Sequence, residues 1–427
     1  MNHAGALQQV SAVDFKESRY SCRFCGAALQ CSVVDLGTSP LCQRHITLQR
    51  FDHPESIYPL HVYVCGECFL VQLPAYVAPE GIFDHEYGYF SSYSETWLKH
   101  AKDYVDMMIR RFELTAHSKV VEVASNDGYL LQYFVGAGIP ALGIEPTTNT
   151  AAVALQKGIP TITKFFGRKT AKEILLSEGA ANVLVANNVL AHVPDINDFV
   201  GGIKILLAAG GVVTMEFPQL LHLIERNYWD TIYHEHFSYL SFTVVERIFA
   251  KHGLRLFDVE ELSTHGGSIR IFGCHADDHA KPNHARVARM KEREAKTGHA
   301  DLDYYRQFGE RIKESKRALL EFMISVKRAG KHVAAYGAPG KGNTLLNYCG
   351  LGTDFIDYTV DRSPHKQGNY LPGTRIPIYA PEKISETKPD YVLLLPWNLK
   401  DEIMQQMSHI RGWGGCFVTP LPTVEIW

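Results

Sequence analysis

Two tyrosines, two histidines and a glutamate fall within seven residues, at Tyr233, His234, Glu235, His236 and Tyr239. This is the richest acid–base passage in the chain. Its H-E-H order is not the H-E-x-x-H of zinc peptidases, since adjacent helical positions point apart and cannot share a metal. Histidine near its natural pKa is suited instead to abstracting a proton at neutral pH. Lying between two strands, at the mouth of a sheet that could hold a ligand, the passage reads as catalytic. His192, after an earlier buried strand, and His265, in a His265-Gly266-Gly267 loop, are further candidates.

The cysteines carry a second chemistry. Cys22-x-x-Cys25 and Cys65-x-x-Cys68 each present two thiolates on a tight turn, and together they complete a tetrahedral S4 site for zinc. The 39 residues between Cys25 and Cys65 must fold out and return. A closed four-thiolate site holds structure and does no chemistry. Cys31 and Cys42 read as core or spare thiols. The N-terminal stretch lacks the basic start and apolar core of an export signal, so the nine cysteines are expected in a reducing, cytoplasmic setting.

Residues 119–145 must position a ligand for that chemistry. A β-branched strand over 119–123 breaks into Ala124-Ser125-Asn126-Asp127-Gly128, helical spacing follows over 129–135, and a second strand at 141–144 ends on Glu145. This is the first βαβ unit of a nucleotide-binding sheet. A dinucleotide loop would read G-x-G-x-x-G, whereas this loop holds one glycine. Acidic Glu122 before A-S-N-D-G suits a smaller, cationic adenosyl ligand, and Glu145 can accept both ribose hydroxyls. The alternation continues through a buried strand that runs into Asn187, Asn188 and His192, then a strand at 212–217. A helix at 243–252 and an antiparallel hairpin (254–259 and 268–273) separate the fold from a plain dinucleotide domain.

Ahead of this sheet, residues 82–97 are rich in aromatic and hydroxyl groups, with Tyr87 and Tyr89 able to line a sugar pocket. Ser94 is placed to cap a helix over 95–112. Beyond it, residues 278–330 are charged and helical in pattern. A strand then feeds Tyr336-Gly337-Ala338-Pro339-Gly340-Lys341-Gly342-Asn343, with further strands expected at 354–361 and 391–395. The turn is not a P-loop, yet it suits cradling a phosphate on a helix N-terminus. Domains are expected over 1–85, 86–277 and 278–427. A net charge of −3 with no basic run argues against nucleic acid, and no apolar run reaches membrane-spanning length.

Over residues 20–427 the chain resembles the adenosylmethionine-dependent sugar C-methyltransferases of deoxysugar biosynthesis. The resemblance rests on the two C-x-x-C pairs, Asn126-Asp127-Gly128, Ile232-Tyr-His-Glu-His236, His265-Gly266-Gly267 and Tyr336-Gly337-Ala338. It implies an α/β protein: a small zinc-binding module, a class I methyltransferase (Rossmann-like) domain and a second, C-terminal Rossmann-like domain. It also implies S-adenosyl-L-methionine and Zn2+ as cofactors. The implied substrate is a dTDP- or other NDP-4-keto-6-deoxysugar, methylated at C-3′.

By resemblance His236 is the base, Glu235 orients it, and Tyr233 or His192 stabilises the ketone oxygen. Glu122, Asn126, Asp127, Gly128, Glu145, Asn187 and Asn188 would hold the methyl donor. Tyr87, Tyr89 and His265 would contact the sugar, with Tyr336, Gly337, Lys341, Asn343 and Lys366 toward the nucleotide. Cys22, Cys25, Cys65 and Cys68 would bind zinc. The alternatives are an O- or N-methyltransferase, which needs no enolate base, and a zinc-ribbon interaction protein with a degenerate methyltransferase domain.

Overall fold

The structure is a computed structural model that describes residues 20–83 and 89–427, without the side chain of His265. Tyr87 lies outside the described residues. Strands β1 (Cys31–Ser39), β2 (Tyr58–Val64) and β3 (Val71–Gln72) form an antiparallel N-terminal sheet beside the cysteine pairs. The chain next enters a helix, Glu95–Arg111, whose Trp97 N–H donates to Ser94 Oγ at 3.2 Å, the expected cap. Five parallel strands follow: β4 (Val120–Val123), β5 (Ala141–Ile144), β6 (Thr161–Ile162), β7 (Ala181–Val185) and β8 (Leu207–Pro218). Helices cover both faces of this sheet, so β4 is apolar or buried at every position, as a doubly covered parallel strand must be.

After β8 the chain makes β9 (Ser238–Tyr239), then the hairpin β10 (Leu254–Leu262) and β11 (Ser268–His275). The hairpin joins β8 antiparallel and completes a seven-stranded sheet in the order β10-β11-β8-β7-β4-β5-β6. β9 belongs elsewhere. It pairs with β3, Val71 opposite Tyr239 and Gln72 opposite Ser238, so the segment after the H-E-H sequence closes the N-terminal sheet.

Helices Ala285–Lys296 and Leu302–Arg328 lead to β12 (Val333–Tyr336), β13 (Thr359–Val360), β14 (Ile378–Tyr379), β15 (Tyr391–Leu394), β16 (Cys416–Thr419) and β17 (Glu425–Ile426). Their order, β14-β13-β12-β15-β16-β17, reverses direction about β12, which opens a crevice between the loops after β12 and β15. The strand expected over 354–361 shortens to two residues. Phe355 and Ile356 N–H both donate to the Gly352 carbonyl, at 3.0 Å each, in a turn that uses up the first half.

The N-terminal sheet wedges between the two larger units. Cys22, Phe24, Leu29 and Cys65 pack into the methyltransferase-sheet core, while Val33, Val62 and Val71 share a core with Phe308, Ile312 and Leu345. At Gly309, in the middle of helix Leu302–Arg328, an added Cβ would overlap the Val33 carbonyl oxygen of β1. Alanine would favour the isolated helix by about 1 kcal/mol, but a clash with backbone costs about 1–3 kcal/mol. Gly309→Ala should therefore lower the urea midpoint. A midpoint that rises would mean that the helix does not rest on β1 so closely.

Candidate active site

The four thiols at Cys22, Cys25, Cys65 and Cys68 lie within 4.8 Å of one another. The Cys22–Cys68 and Cys25–Cys65 sulfurs are each 3.5 Å apart. Zn–S bonds of about 2.3 Å need tetrahedral sulfurs about 3.8 Å apart, so the cluster fits zinc. Gln72 Nε2 donates to Cys22 Sγ at 3.1 Å, a second layer of support. The same knuckle sends Arg23 to the carbonyls of Leu73 and, at 2.8 Å, Pro194, two residues beyond His192.

The loop after β4 is the candidate methyl-donor site. Ala124, Asn126 and Gly128 have φ of +53°, +51° and +76°, so three left-handed residues turn the loop tightly. Ala124 adopts the conformation that the absent first glycine would have supplied. Glu122 Oε2, Ser125 Oγ and Asp127 Oδ1 are buried with no partner among the described residues. Three unmatched acceptors in one cradle fit a ligand with a cationic, hydroxyl-bearing end. Glu145 already takes the Asn126 N–H at 2.9 Å, the Thr147 N–H at 2.8 Å and the Thr147 hydroxyl. A carboxylate accepts roughly four hydrogen bonds, which leaves room for a ribose. Burial raises its pKa, with these donors opposing the shift.

Over this loop lies the segment of residues 89–93, which ends in the 3-10 turn Ser91–Tyr93. Asn126 donates to the Tyr89 carbonyl at 3.1 Å, and the Ser91 N–H donates to Asn126 Oδ1 at 2.9 Å. At the ends of β7 and β8, Asn187 Oδ1 accepts the Glu216 N–H and the Asn188 N–H donates to the Glu216 carbonyl. Those contacts shape the pocket wall.

The H-E-H segment is a loop, and its three side chains diverge. His234 is buried and its Nε2 donates to the Pro59 carbonyl of β2 at 3.1 Å. Glu235 is buried against Cys42, whose thiol donates to Oε1 at 3.5 Å. Burial raises the Glu235 carboxyl to about 7. His236 faces the methyltransferase sheet, its ring 4.0 Å from Tyr233 and 4.7 Å from His192. His236 Nδ1 donates to the Thr231 carbonyl at 2.7 Å. The orienting contact expected from Glu235 is thus made by main chain. A carbonyl can only accept, so the neutral ring keeps its lone pair on Nε2. Burial lowers His192 to about 4, leaving a neutral imidazole.

On the C-terminal side, the Ala338 N–H is taken by Asp361 Oδ2 at 2.8 Å. Lys366 lies on the Ala338 carbonyl at 2.9 Å and beside Asp361 at 3.6 Å. Tyr336 packs in the sheet core, and a Cβ on Gly337 would meet Pro396 at 2.6 Å. Lys341 reaches Asn398 Oδ1 at 2.5 Å and sits over the Trp397 ring at 4.4 Å. Asn343 is fully buried, yet neither polar atom of its amide has a partner among the described residues. His265 lies in the 3-10 turn Thr264–Gly266. Sequence reasoning missed Cys42, Asp230 and Trp397. Only the position of Asp230, three residues before the acid–base passage, signalled any of them.

Three family models cover this architecture: a "Putative zinc binding domain" over residues 22–83, a "Methyltransferase domain" over 97–259 and a "C-methyltransferase C-terminal domain" over 263–422. C-methyltransferase NovU of Streptomyces niveus is 38% identical over 407 residues, 95% of this chain and 96% of that protein. The chain belongs to the C-methyltransferase family. It is an adenosylmethionine-dependent C-methyltransferase with a four-cysteine zinc site. Among solved structures, PH0226 protein from Pyrococcus horikoshii OT3 aligns with TM-score 0.37 and 13% identity over 44% of this chain and 94% of that one. Magnesium protoporphyrin IX methyltransferase from Synechocystis PCC 6803 aligns with TM-score 0.31 and 13% identity over 41% and 78%. Among the described residues of this C-methyltransferase, no helix is long and apolar enough to cross a membrane.

Elemental analysis should find one zinc per chain. Cys25→Ser should release it and lower the melting temperature by at least about 5 °C. Full zinc retention in that variant would remove Cys25 from the ligand set. Glu145→Ala should weaken adenosylmethionine binding at least about tenfold by calorimetry, since charge-assisted hydrogen bonds are worth about 1.5–3 kcal/mol each. Unchanged affinity would mean that the ribose lies elsewhere.

Proposed function

We propose that this C-methyltransferase methylates C-3′ of a nucleotide-linked 4-keto-6-deoxysugar through an enolate, with His236 as the base. The observation that carries the reading is the Thr231 carbonyl on His236 Nδ1, which leaves an Nε2 lone pair beside Tyr233 and His192. A carbon nucleophile must be made before it can take a methyl group. His236 Nε2 removes the C-3′ proton, and the C–H electrons move into the ring carbon–carbon bond as the carbonyl becomes an enolate. Tyr233 and neutral His192 donate to that oxygen as its charge develops. Bound adenosylmethionine would supply the methyl group as a cation equivalent, its methyl–sulfur bond breaking with the electron pair left on the sulfur of S-adenosylhomocysteine. The enolate electrons form the new C–C bond, and His236 later returns its proton to solvent.

With its pKa near 4, His192 is too weak a base to compete, which favours His236 over the second histidine. The C-methyl transfer of the family favours this chemistry over the O- or N-methyl alternative. Tyr87, Tyr89 and His265 remain assigned to the sugar. The nucleotide diphosphate, of dTDP or another nucleotide, is assigned to the first turn of helix Gly340–Cys349, where Lys341 and the unpartnered Asn343 amide lie. Tyr336, Gly337 and Lys366 support this turn rather than meet the phosphates. Four cysteines kept as thiolate zinc ligands favour a reducing compartment, which supports a cytoplasmic location.

His236→Asn should lower methyl transfer by about a hundredfold to ten-thousandfold, while adenosylmethionine affinity stays near wild type. With S-adenosylhomocysteine bound, wild-type enzyme should exchange the C-3′ hydrogen of a 4-keto sugar into heavy water, and the variant should not. Exchange at the wild-type rate in the variant would reassign the base.

A further inference from the structure

The loop that carries His236 is anchored by residues of another domain. We infer that Thr344, Trp397 and Asp230 are positioning residues for His236, so that the C-terminal domain sets the direction of the base; this rests on His236 serving as that base. The Thr231 carbonyl orients His236, and both of its chain neighbours are tied across the domain boundary. On one side the Asp230 carboxylate accepts Trp397 Nε1–H at 2.7 Å. On the other, Thr344 Oγ1 donates to the Ile232 carbonyl at 2.8 Å. Peptide units are planar, so a carbonyl turns only by the soft dihedrals on either side of it. With Asp230 and Ile232 held, the Thr231 carbonyl keeps its direction, and with it Nδ1–H of His236.

The anchors are themselves fixed. The Trp397 ring stacks on Tyr228 at 3.9 Å with 28° between planes, and Lys341 Nζ lies 4.4 Å from its centre on the loop crevice. Trp229 meets Tyr348 edge-on at 5.3 Å. Asp230 has no exposed surface, and one of its oxygens has no partner among the described residues. A buried carboxyl is costly, and apolar packing would join two domains as well. Its location next to the carbonyl that aims the base is what a positioning role requires.

The test uses the full-length, zinc-loaded enzyme with Thr344→Val, Thr344→Ser and Trp397→Phe, of which the last keeps the stacked ring and loses the N–H. In 15N-histidine-labelled protein, the His236 signals are identified by their loss in His236→Asn. Wild type should show the neutral ring as the Nδ1–H tautomer. Thr344→Val and Trp397→Phe should each mix in the other tautomer and lower kcat about tenfold to a hundredfold, with sugar KM within about twofold and donor affinity unchanged. Thr344→Ser should regain most of the loss. Wild-type His236 signals in both Thr344→Val and Trp397→Phe would overturn the clamp alone, as would Thr344→Ser being as impaired as Thr344→Val. A fully active His236→Asn enzyme would overturn the base assignment and the clamp with it.

Discussion

The constraint on which the site depends is that, among the described residues, 229–239 pair with no strand of their own domain. Leaving β8, the chain passes His234 to β2 of the N-terminal sheet, Glu235 to Cys42, and the backbone of 238–239 to β3. Asp230 and the Ile232 carbonyl go the other way, to the C-terminal domain. Each such hydrogen bond is worth only about 1 kcal/mol net, but together they leave His236 as the side chain turned toward His192. The zinc knuckle belongs to the same arrangement. Gln72, which donates to Cys22 Sγ, is in the strand that pairs with Ser238. The four-cysteine site is thus linked to the H-E-H loop through one strand.

Burial sets the protonation of the groups around that loop. It lifts Glu235 to about 7 and Asp230 to about 6, and it drops His192 to about 4. One physical cause raises the two acids toward neutrality and keeps the histidine uncharged. The cost of desolvation falls on groups packed between domains, where water is excluded. In such an environment fixed hydrogen-bond donors act on charge more strongly than they do in water.

The donor pocket follows a different logic, being local. Ala124, Asn126 and Gly128 bend the chain within five residues, and Glu145 reaches back from the next strand to hold the Asn126 N–H. Segment 89–93 reaches the same loop and also the C-terminal domain, where Tyr93 meets His365 at 3.3 Å. The segment therefore touches the loop after β4 and the C-terminal domain at once.

What could be read from sequence was whatever depends on short-range pattern. The two C-x-x-C turns, the β-branched run into Asn126-Asp127-Gly128, the Ser94 cap and the alternation of strands and helices each lie within a few residues, so spacing alone identifies them. The density of titratable groups at 233–239 was likewise legible as a candidate acid–base loop. Direction was not legible. Whether Glu235 turns to His236 or to Cys42 depends on a residue 193 positions away, and the Asp230–Trp397 bond spans 167. Nothing in local pattern encodes such pairings. Asp361, just after β13, likewise accepts the Ala338 N–H of a residue 23 positions earlier. Sequence determined which groups are available and on which elements, because propensity and periodicity act over a few residues. Only the tertiary structure decided which of them face one another, because that depends on how three separately folded sheets pack.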